Sequence, residues 1–237
     1  MFADYPLEPL FPSGVLARAV TWEGAGSVEA VAEGVALPPG LEGAVPKRQV
    51  EALAGRVAAA RAIRQLPGAW DVSVGRRADR SPEWPPGLVG AITHTAGFAA
   101  AAVALAGEFV GVGLDAERWL KEEDVARLRG AILRGDERAP LQDSPSPAQG
   151  LTLAFSAKES IYKALFPRVR RFFGFEAFEV RAVDWEAGRF SGALAETLTA
   201  EFREGMLLEG RFSTTGFGLL TAVAIRAAWG THPGEPR

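Results

Sequence analysis

Twice in this chain a proline opens a long run of good helix formers, and each time short apolar runs of strand-like composition follow. That order restricts the chain to folds in which a helix is laid on a small sheet, twice over. Pro46 follows a Pro/Gly turn at residues 38–43 and opens a helix expected over 47–66. On its wheel Val50, Leu53, Ala54 and Val57 share one arc of roughly 100°, which places Arg48 and Arg56 away from the core. In the second segment Ser146, Pro147 and Gln149 have the order of an N-cap, a first-turn proline and a capping-box partner. They predict a helix over 147–166, stopped by Pro167.

Strands are expected at 88–93, 98–105 and 109–114, and again at 175–183, 189–194, 207–212 and 219–225. The alanine-rich run at 98–105 would suit a helix equally well by propensity. The pair GVG within 109–114 is too short for a dinucleotide fingerprint and reads as strand flexibility. The expected architecture is α+β: two similar halves, 1–108 and 109–237, each a long helix packed on a small, mainly antiparallel sheet. No residue-level repeat links them, and the tail from Gly230 is expected to fray.

With 48% apolar residues among 237, the chain can bury a sizeable core. A net charge of −3 argues against broad nucleic-acid affinity, so any basic site must be local. There is no cysteine, which excludes disulfides, thiolate ligands and cysteine nucleophiles. The first residues lack the basic-then-apolar order of a signal peptide, and the longest apolar run, 96–107, is about half of what a bilayer crossing needs. A cytoplasmic protein, not a membrane one, is expected.

Two acidic patterns stand out. Asp115 and Glu117, in GLDAE, sit two apart at the end of an expected strand, where alternation points both carboxylates to one side. Such a pair repels itself unless a cation joins it, and hard oxygens on one face suit Mg²⁺. An Asp-x-Glu is also a common solvated pair. The second pattern is FSAKESIYKAL at 155–165, where Glu159 and Lys163 lie four apart on one helical face. A surface ion pair, or a capping box of Ser156 with Glu159, would account for the segment alone. Against both, Phe155, Ile161, Tyr162 and Leu165 make the helix largely buried, and charges emerging from it need partners.

Donors for a phosphate are scattered: Arg48, Arg56, Arg76, Arg77 and His94 in the first half. His94, in AITHTAG, is the only histidine besides His232, and a lone histidine at a strand end is also an ordinary structural residue. No G-x-S-x-G elbow and no P-loop signature occurs, which removes the α/β-hydrolase and P-loop nucleotide enzymes. A Mg²⁺-dependent nuclease or phosphatase, or a non-catalytic coenzyme-A-binding module, remains open on these residues.

Taken in order, KRQVEALAGRVAAARAI, SPEWPPGLVGAITHTAG, VGLDAE and FSAKESIYKAL resemble the Sfp-type 4′-phosphopantetheinyl transferases, the enterobactin-synthetase component D branch above all, over residues 48–225. The resemblance implies a pseudo-dimer with coenzyme A in the cleft between its halves. It implies Mg²⁺, or Mn²⁺ in its place, on Asp115, Glu117 and Glu159, the middle acid being the least constant. By the same resemblance Arg48, Arg56, Arg76 and His94 hold the 3′-phosphate and neighbouring parts of coenzyme A, and Lys158 and Lys163 lie near the pyrophosphate. Glu159 and Lys163 are then the catalytic pair. Two departures are Ala91, where relatives often carry serine, so that a hydroxyl contact is expected to be lost, and Arg76, often lysine. The implied reaction moves phosphopantetheine onto a serine of an acyl or peptidyl carrier protein in fatty-acid, siderophore, polyketide or nonribosomal-peptide synthesis. Docking is expected near Phe166, Arg170, Arg171 and Phe172, in FPRVRRFF, unless that run is a buried aromatic cluster capped by solvated arginines. A monomer is expected.

Overall fold

The computed structural model describes residues 2–23, 31–68, 70–135 and 137–227. Its first half is a four-stranded antiparallel sheet carrying one helix. The elements are β1 (Ala3–Tyr5), β2 (Val15–Thr21), the small hairpin β3 (Val31–Ala32) and β4 (Val35–Ala36), α1 (Pro46–Ile63), a second small hairpin β5 (Gly75–Arg76) and β6 (Pro82–Glu83), then β7 (Leu88–Thr95) and β8 (Phe98–Leu105). The sheet runs β1-β2-β8-β7. Two of its strands, β1 and β2, lie ahead of the helix, in a stretch where no strand was expected.

The alanine-rich run is a strand because both of its faces are enclosed. Ala99, Ala101 and Val103 pack on Leu53, Ala54 and Val57 of α1. Ala100, Ala102 and Ala104 face the second half, against Val112, Leu114 and Ala222. Small side chains let a helix and a second sheet approach one strand from opposite sides, and this packing overrides alanine's helical preference.

Helix α1 begins at Pro46 as expected and ends at Ile63, three residues early. Arg48 is exposed, but Arg56 is 7% exposed and correct placement puts it inside. The wheel assumed one buried face. From Leu53 onward α1 is covered on nearly all sides, by the sheet and by the 72–75 segment whose carbonyls receive Arg56.

The second half comprises β9 (Phe109–Arg118), α2 (Glu122–Ile132), α3 (Pro147–Val169), β10 (Phe178–Asp184), β11 (Arg189–Leu194), β12 (Leu207–Thr214) and β13 (Gly218–Arg226). Its antiparallel sheet runs β10-β11-β12-β13-β9, so β9, which precedes α3 in sequence, closes the sheet against the last strand. Each half is therefore strand, helix, strands rather than helix, then strands. Residues 175–177 form a 3₁₀ turn in place of the expected start of a strand, and α2 had no sequence forecast.

Helix α3 starts as its cap sequence demands, with Ser146 accepting from the Gln149 N–H. Pro167 does not stop it. The ring sits in the last turn, and the helix ends at Arg170, whose left-handed φ of 57° lets its N–H reach the Phe166 carbonyl at 2.9 Å. Gly111 and Gly113 are contact residues, not flexible ones: a Cβ on either would run into the α3 backbone at Ala164 or Ser160. Their absence of side chain seats α3 directly on β9. Among the described residues three α-helices occur, and none is long and apolar enough to cross a membrane. Gly230 and His232 lie outside the described residues.

Candidate active site

The close seating of α3 on β9 determines what meets what. Asp115 on β9 is 3% exposed, and each of its carboxylate oxygens accepts a hydrogen bond. Its Oδ1 accepts from Lys163 Nζ at 2.7 Å and from the Thr93 hydroxyl at 3.4 Å; its Oδ2 accepts from Ser156 Oγ at 2.8 Å. Thr93 Oγ1 in turn accepts the Ala116 N–H at 3.0 Å, tying β7 to β9 at this point. Lys163 also donates to the Leu114 carbonyl at 3.1 Å. Its ammonium is thus fixed by β9, not by Glu159, and no Glu159–Lys163 ion pair forms among the described residues. The capping-box reading falls as well, since Ser156 is fully buried deep inside α3.

Strand parity carries Glu117 to the same side as Asp115. Burial pushes its carboxyl up to about 7, with the Asp115 charge adding, Lys163 opposing and Glu159 adding last. Burial likewise raises Glu159, opposed by Lys163 and reinforced by Asp115. Three acids and one lysine therefore share one field in which negative charge is under-compensated.

His94 closes the first-half side. It sits at the end of β7 with Nδ1 3.8 Å from Glu51 Oε2. Partial withdrawal from water lowers its basicity; Glu51 opposes this, Lys163 and Arg48 add to it, and Asp115 opposes it. Arg48, Glu51 and Lys163 are thus neighbours of His94, which also feels the Asp115 charge. Arg56 and Arg76 form a separate pair. The Arg56 guanidinium donates to the carbonyls of Val74 (2.9 Å), Gly75 (3.1 Å) and Ala52 (3.2 Å). Burial brings it down to about 10, with Arg76 adding. Three of the five guanidinium N–H groups of Arg56 are thus held on α1 and the segment that carries Arg76, which leaves two for the phosphate contact expected of it.

Lys158 lies away from its expected place. Its side chain is 1% exposed and its Nζ is bound to Glu137 Oε2 at 2.6 Å and to the Ile132 carbonyl at 2.9 Å. A helix turns about 100° per residue, so Lys158 and Glu159 leave α3 on different sides. The lysine expected at the pyrophosphate points into protein.

A cavity of about 490 Å³ opens between the halves beside the acids. Arg77, Arg80, Trp84 and Ile92 line it from one side; Glu159, Tyr162, Lys163, Phe166 and Arg170 line it from the other. Ala91, where a hydroxyl was expected to be missing, is on its wall. A second, larger cavity of about 600 Å³ lies between residues 9–12 and the sheet of the second half and contains none of the candidates. The FPRVRRFF segment divides: Phe173 is buried, whereas Phe172 is 79% exposed. Phe166 stacks on Tyr162, and Arg171 lies 3.8 Å from Glu196.

Among the described residues no three His, Asp or Glu side chains come close enough together to hold a metal ion by themselves. An open set of hard oxygens is nevertheless what Mg²⁺ uses when a substrate phosphate completes its shell. Asp115, Glu117 and Glu159 act on one another in one field and are hard oxygen donors, so the donor set is of the kind this ion takes. Thr93, Ser156, Glu51 and Glu137 were missed by sequence reasoning; only Ser156 gave a signal, three residues before Glu159, and it was read as a cap.

Comparison with known proteins bears on these residues directly. Residues 37–104 match the 4′-phosphopantetheinyl transferase N-terminal domain, and residues 111–212 match the 4′-phosphopantetheinyl transferase superfamily. The chain is 34% identical over 195 residues to 4′-phosphopantetheinyl transferase Svp of Streptomyces mobaraensis, covering 79% of this chain and 76% of that one. The chain belongs to the 4′-phosphopantetheinyl transferase superfamily. A second transferase of this superfamily, PptT of Mycobacterium tuberculosis, is 33% identical over 195 residues, covering 79% of this chain and 83% of its own. Enterobactin synthase component D of Salmonella typhi is 42% identical over 130 residues, 54% of this chain and 53% of that protein. The match thus spans about half the length of the component D relatives. In this transferase-family chain the first matched stretch holds Arg48, Arg56, Arg76 and His94, and the second holds the three acids with Lys158 and Lys163. The gap between the two stretches falls at the turn from β8 to β9, where one sheet ends and the other begins.

Proposed function

We propose that this chain transfers 4′-phosphopantetheine from coenzyme A to a serine of an apo acyl or peptidyl carrier protein, releasing adenosine 3′,5′-bisphosphate. The observation that carries the reading is the grouping of Asp115, Glu117, Glu159 and Lys163 beside a cavity between the halves, in a chain of this superfamily. The cavity takes coenzyme A, and residues 1–108 supply its phosphate contacts while residues 109–237 supply the acids. Arg48, Arg56, Arg76 and His94 are the proposed partners of the phosphates.

Asp115, Glu117 and Glu159 would hold Mg²⁺ or Mn²⁺, which when bound neutralises the pyrophosphate and polarises it toward attack. Lys163, fixed by Asp115 and the Leu114 carbonyl, keeps one ammonium proton for a phosphate oxygen and stabilises the negative charge that grows there. Glu159, directly or through a water, takes the proton from the attacking serine. Ser156 and Thr93 keep the Asp115 carboxylate in one orientation while charge moves. Exposed Phe172 and the arginines at 170 and 171 offer an acidic carrier an apolar and basic landing place beside the cavity, with the monomer as the working unit.

The test is intact-mass analysis of apo-carriers incubated with the protein, coenzyme A and Mg²⁺. A phosphopantetheine-sized gain on a carrier serine, with bisphosphate released only when carrier is present, is the expected result. Bisphosphate released equally without carrier would instead mark a phosphohydrolase.

A further inference from the structure

We infer that Lys158 and Glu137 form a buried strut whose task is to position Glu159, and that neither residue touches the substrate. Glu137 lies in the segment between α2 and α3, yet its side chain is fully buried. Both of its oxygens are occupied. Oε1 accepts the Val180 N–H at 2.8 Å; Oε2 accepts Lys158 Nζ at 2.6 Å and the Arg134 N–H at 2.9 Å. One carboxylate therefore joins the catalytic helix α3, the end of α2 and the strand β10. The lysine adds a bond to Ile132, the last residue of α2.

An ion pair enclosed in protein is a poor source of net stability, because both charges lose water; its better attested use is to enforce one register. The register here is that of the helix turn carrying Glu159. Ser156 and Ser160, also fully buried, bond Thr221 of β13 from another side of the same turn, at 2.9 and 2.7 Å. Residues 156, 158 and 160 thus grip α3 on both sides of Glu159. A rotation by one residue would swing that carboxyl by about 100°, away from Asp115 and the cavity. An apolar residue at 158 would fill the same space but leave α3 free to slide along β10. The lysine's lowered basicity, chiefly from burial and opposed by Glu137, agrees with a group that never meets solvent.

The inference rests on the transferase reading for its rate measurements, and two experiments separate the two. In the first, wild-type protein is labelled with an amine-specific acylating reagent, with and without coenzyme A, and its peptides are mapped by mass. Lys158 is expected to stay unmodified in both samples, while Lys163 is modified alone and protected by coenzyme A. Labelling of Lys158 that coenzyme A suppresses overturns the inference, whatever the enzyme's rate. In the second, Lys158→Met/Glu137→Gln, which removes both charges but keeps an acceptor at 137, is compared with Lys158→Met by thermal melting and carrier-modification kinetics. The double variant is expected to melt above the single one, to keep its KM for coenzyme A, and to lose roughly 10–100-fold in kcat, the size of effect a misplacement of about 1 Å produces. A melting double variant with wild-type kcat would mean a purely structural pair. One whose KM for coenzyme A rises while kcat holds would mean a ligand. Wild-type protein that modifies no carrier at all refutes the transferase reading and leaves the labelling result standing.

Discussion

Gly113→Ala tests whether the seating of α3 on β9 sets the site. A Cβ at 113 would stand 2.8 Å from the Ser160 carbonyl carbon and 3.2 Å from Ala164 Cβ, and closer still to the Ser160 oxygen, whereas real Cβ contacts do not go below 3.0 Å. The obstacle is helix backbone, which cannot rotate aside. Either α3 withdraws by about an ångström or β9 bends by as much, at a cost of about 1–3 kcal/mol for overpacking. Asp115 and Glu117 ride on β9; Glu159 and Lys163 ride on α3. A withdrawal of that size carries the Lys163–Asp115 contact from 2.7 Å to about 3.7 Å, outside hydrogen-bonding range. We expect kcat for carrier modification, followed by intact mass, to drop by about 10–100-fold, with a lower melting temperature. Gly130→Ala is the control. That position is exposed in α2 with nothing near its missing Cβ, so kcat should hold and stability should rise by about 0.5–1 kcal/mol. Unchanged kcat in Gly113→Ala would refute the claim that this glycine spaces the two acid-bearing elements.

Ser156→Ala removes one of the donors to Asp115 and should cost about 1–2 kcal/mol of stability while lowering kcat more than it alters KM for coenzyme A; an effect on KM alone would argue against orientation of Asp115. Glu117 sits at about 7 in the folded chain against an ordinary 4.5, so between those values the folded chain keeps a proton that the unfolded chain has lost. Without divalent cations the melting temperature should therefore fall as pH rises through that window and level off above it, and Glu117→Gln should flatten the profile; a slope unchanged in the variant points to another group. Charge reversal at Arg170 and Arg171 should raise KM for carrier protein and leave that for coenzyme A, with equal rises in both counting against a docking role.

The acids were legible because their relations are local. Strand parity joins Asp115 to Glu117 and a single helix turn joins Glu159 to Lys163, so each motif is visible in the sequence, while their meeting at one place is implied there only by the family resemblance. The cations were not, because a cation's role depends on which protein surface closes over it. The family resemblance makes Arg56 and Lys158 phosphate donors, yet both also bond inside the protein: Arg56 with part of its guanidinium on the carbonyls at 74 and 75, Lys158 on Glu137 across α3. Neither partner is near in sequence, and the carbonyls have no sequence signature at all. The same logic explains the backbone. Alanines at 99–102 and glycines at 111 and 113 look like helix preference and slack when taken singly, yet they are small because a helix lies on one side and a second sheet on the other. Steric room is set by neighbours far along the chain. Helix α1 and helix α3 were found because a first-turn proline and a capping serine act within one turn; how tightly each would be enclosed, and hence which of its charges could reach a ligand, was decided by strands β8 and β9, by the 72–75 segment and by Glu137, which no periodicity marks.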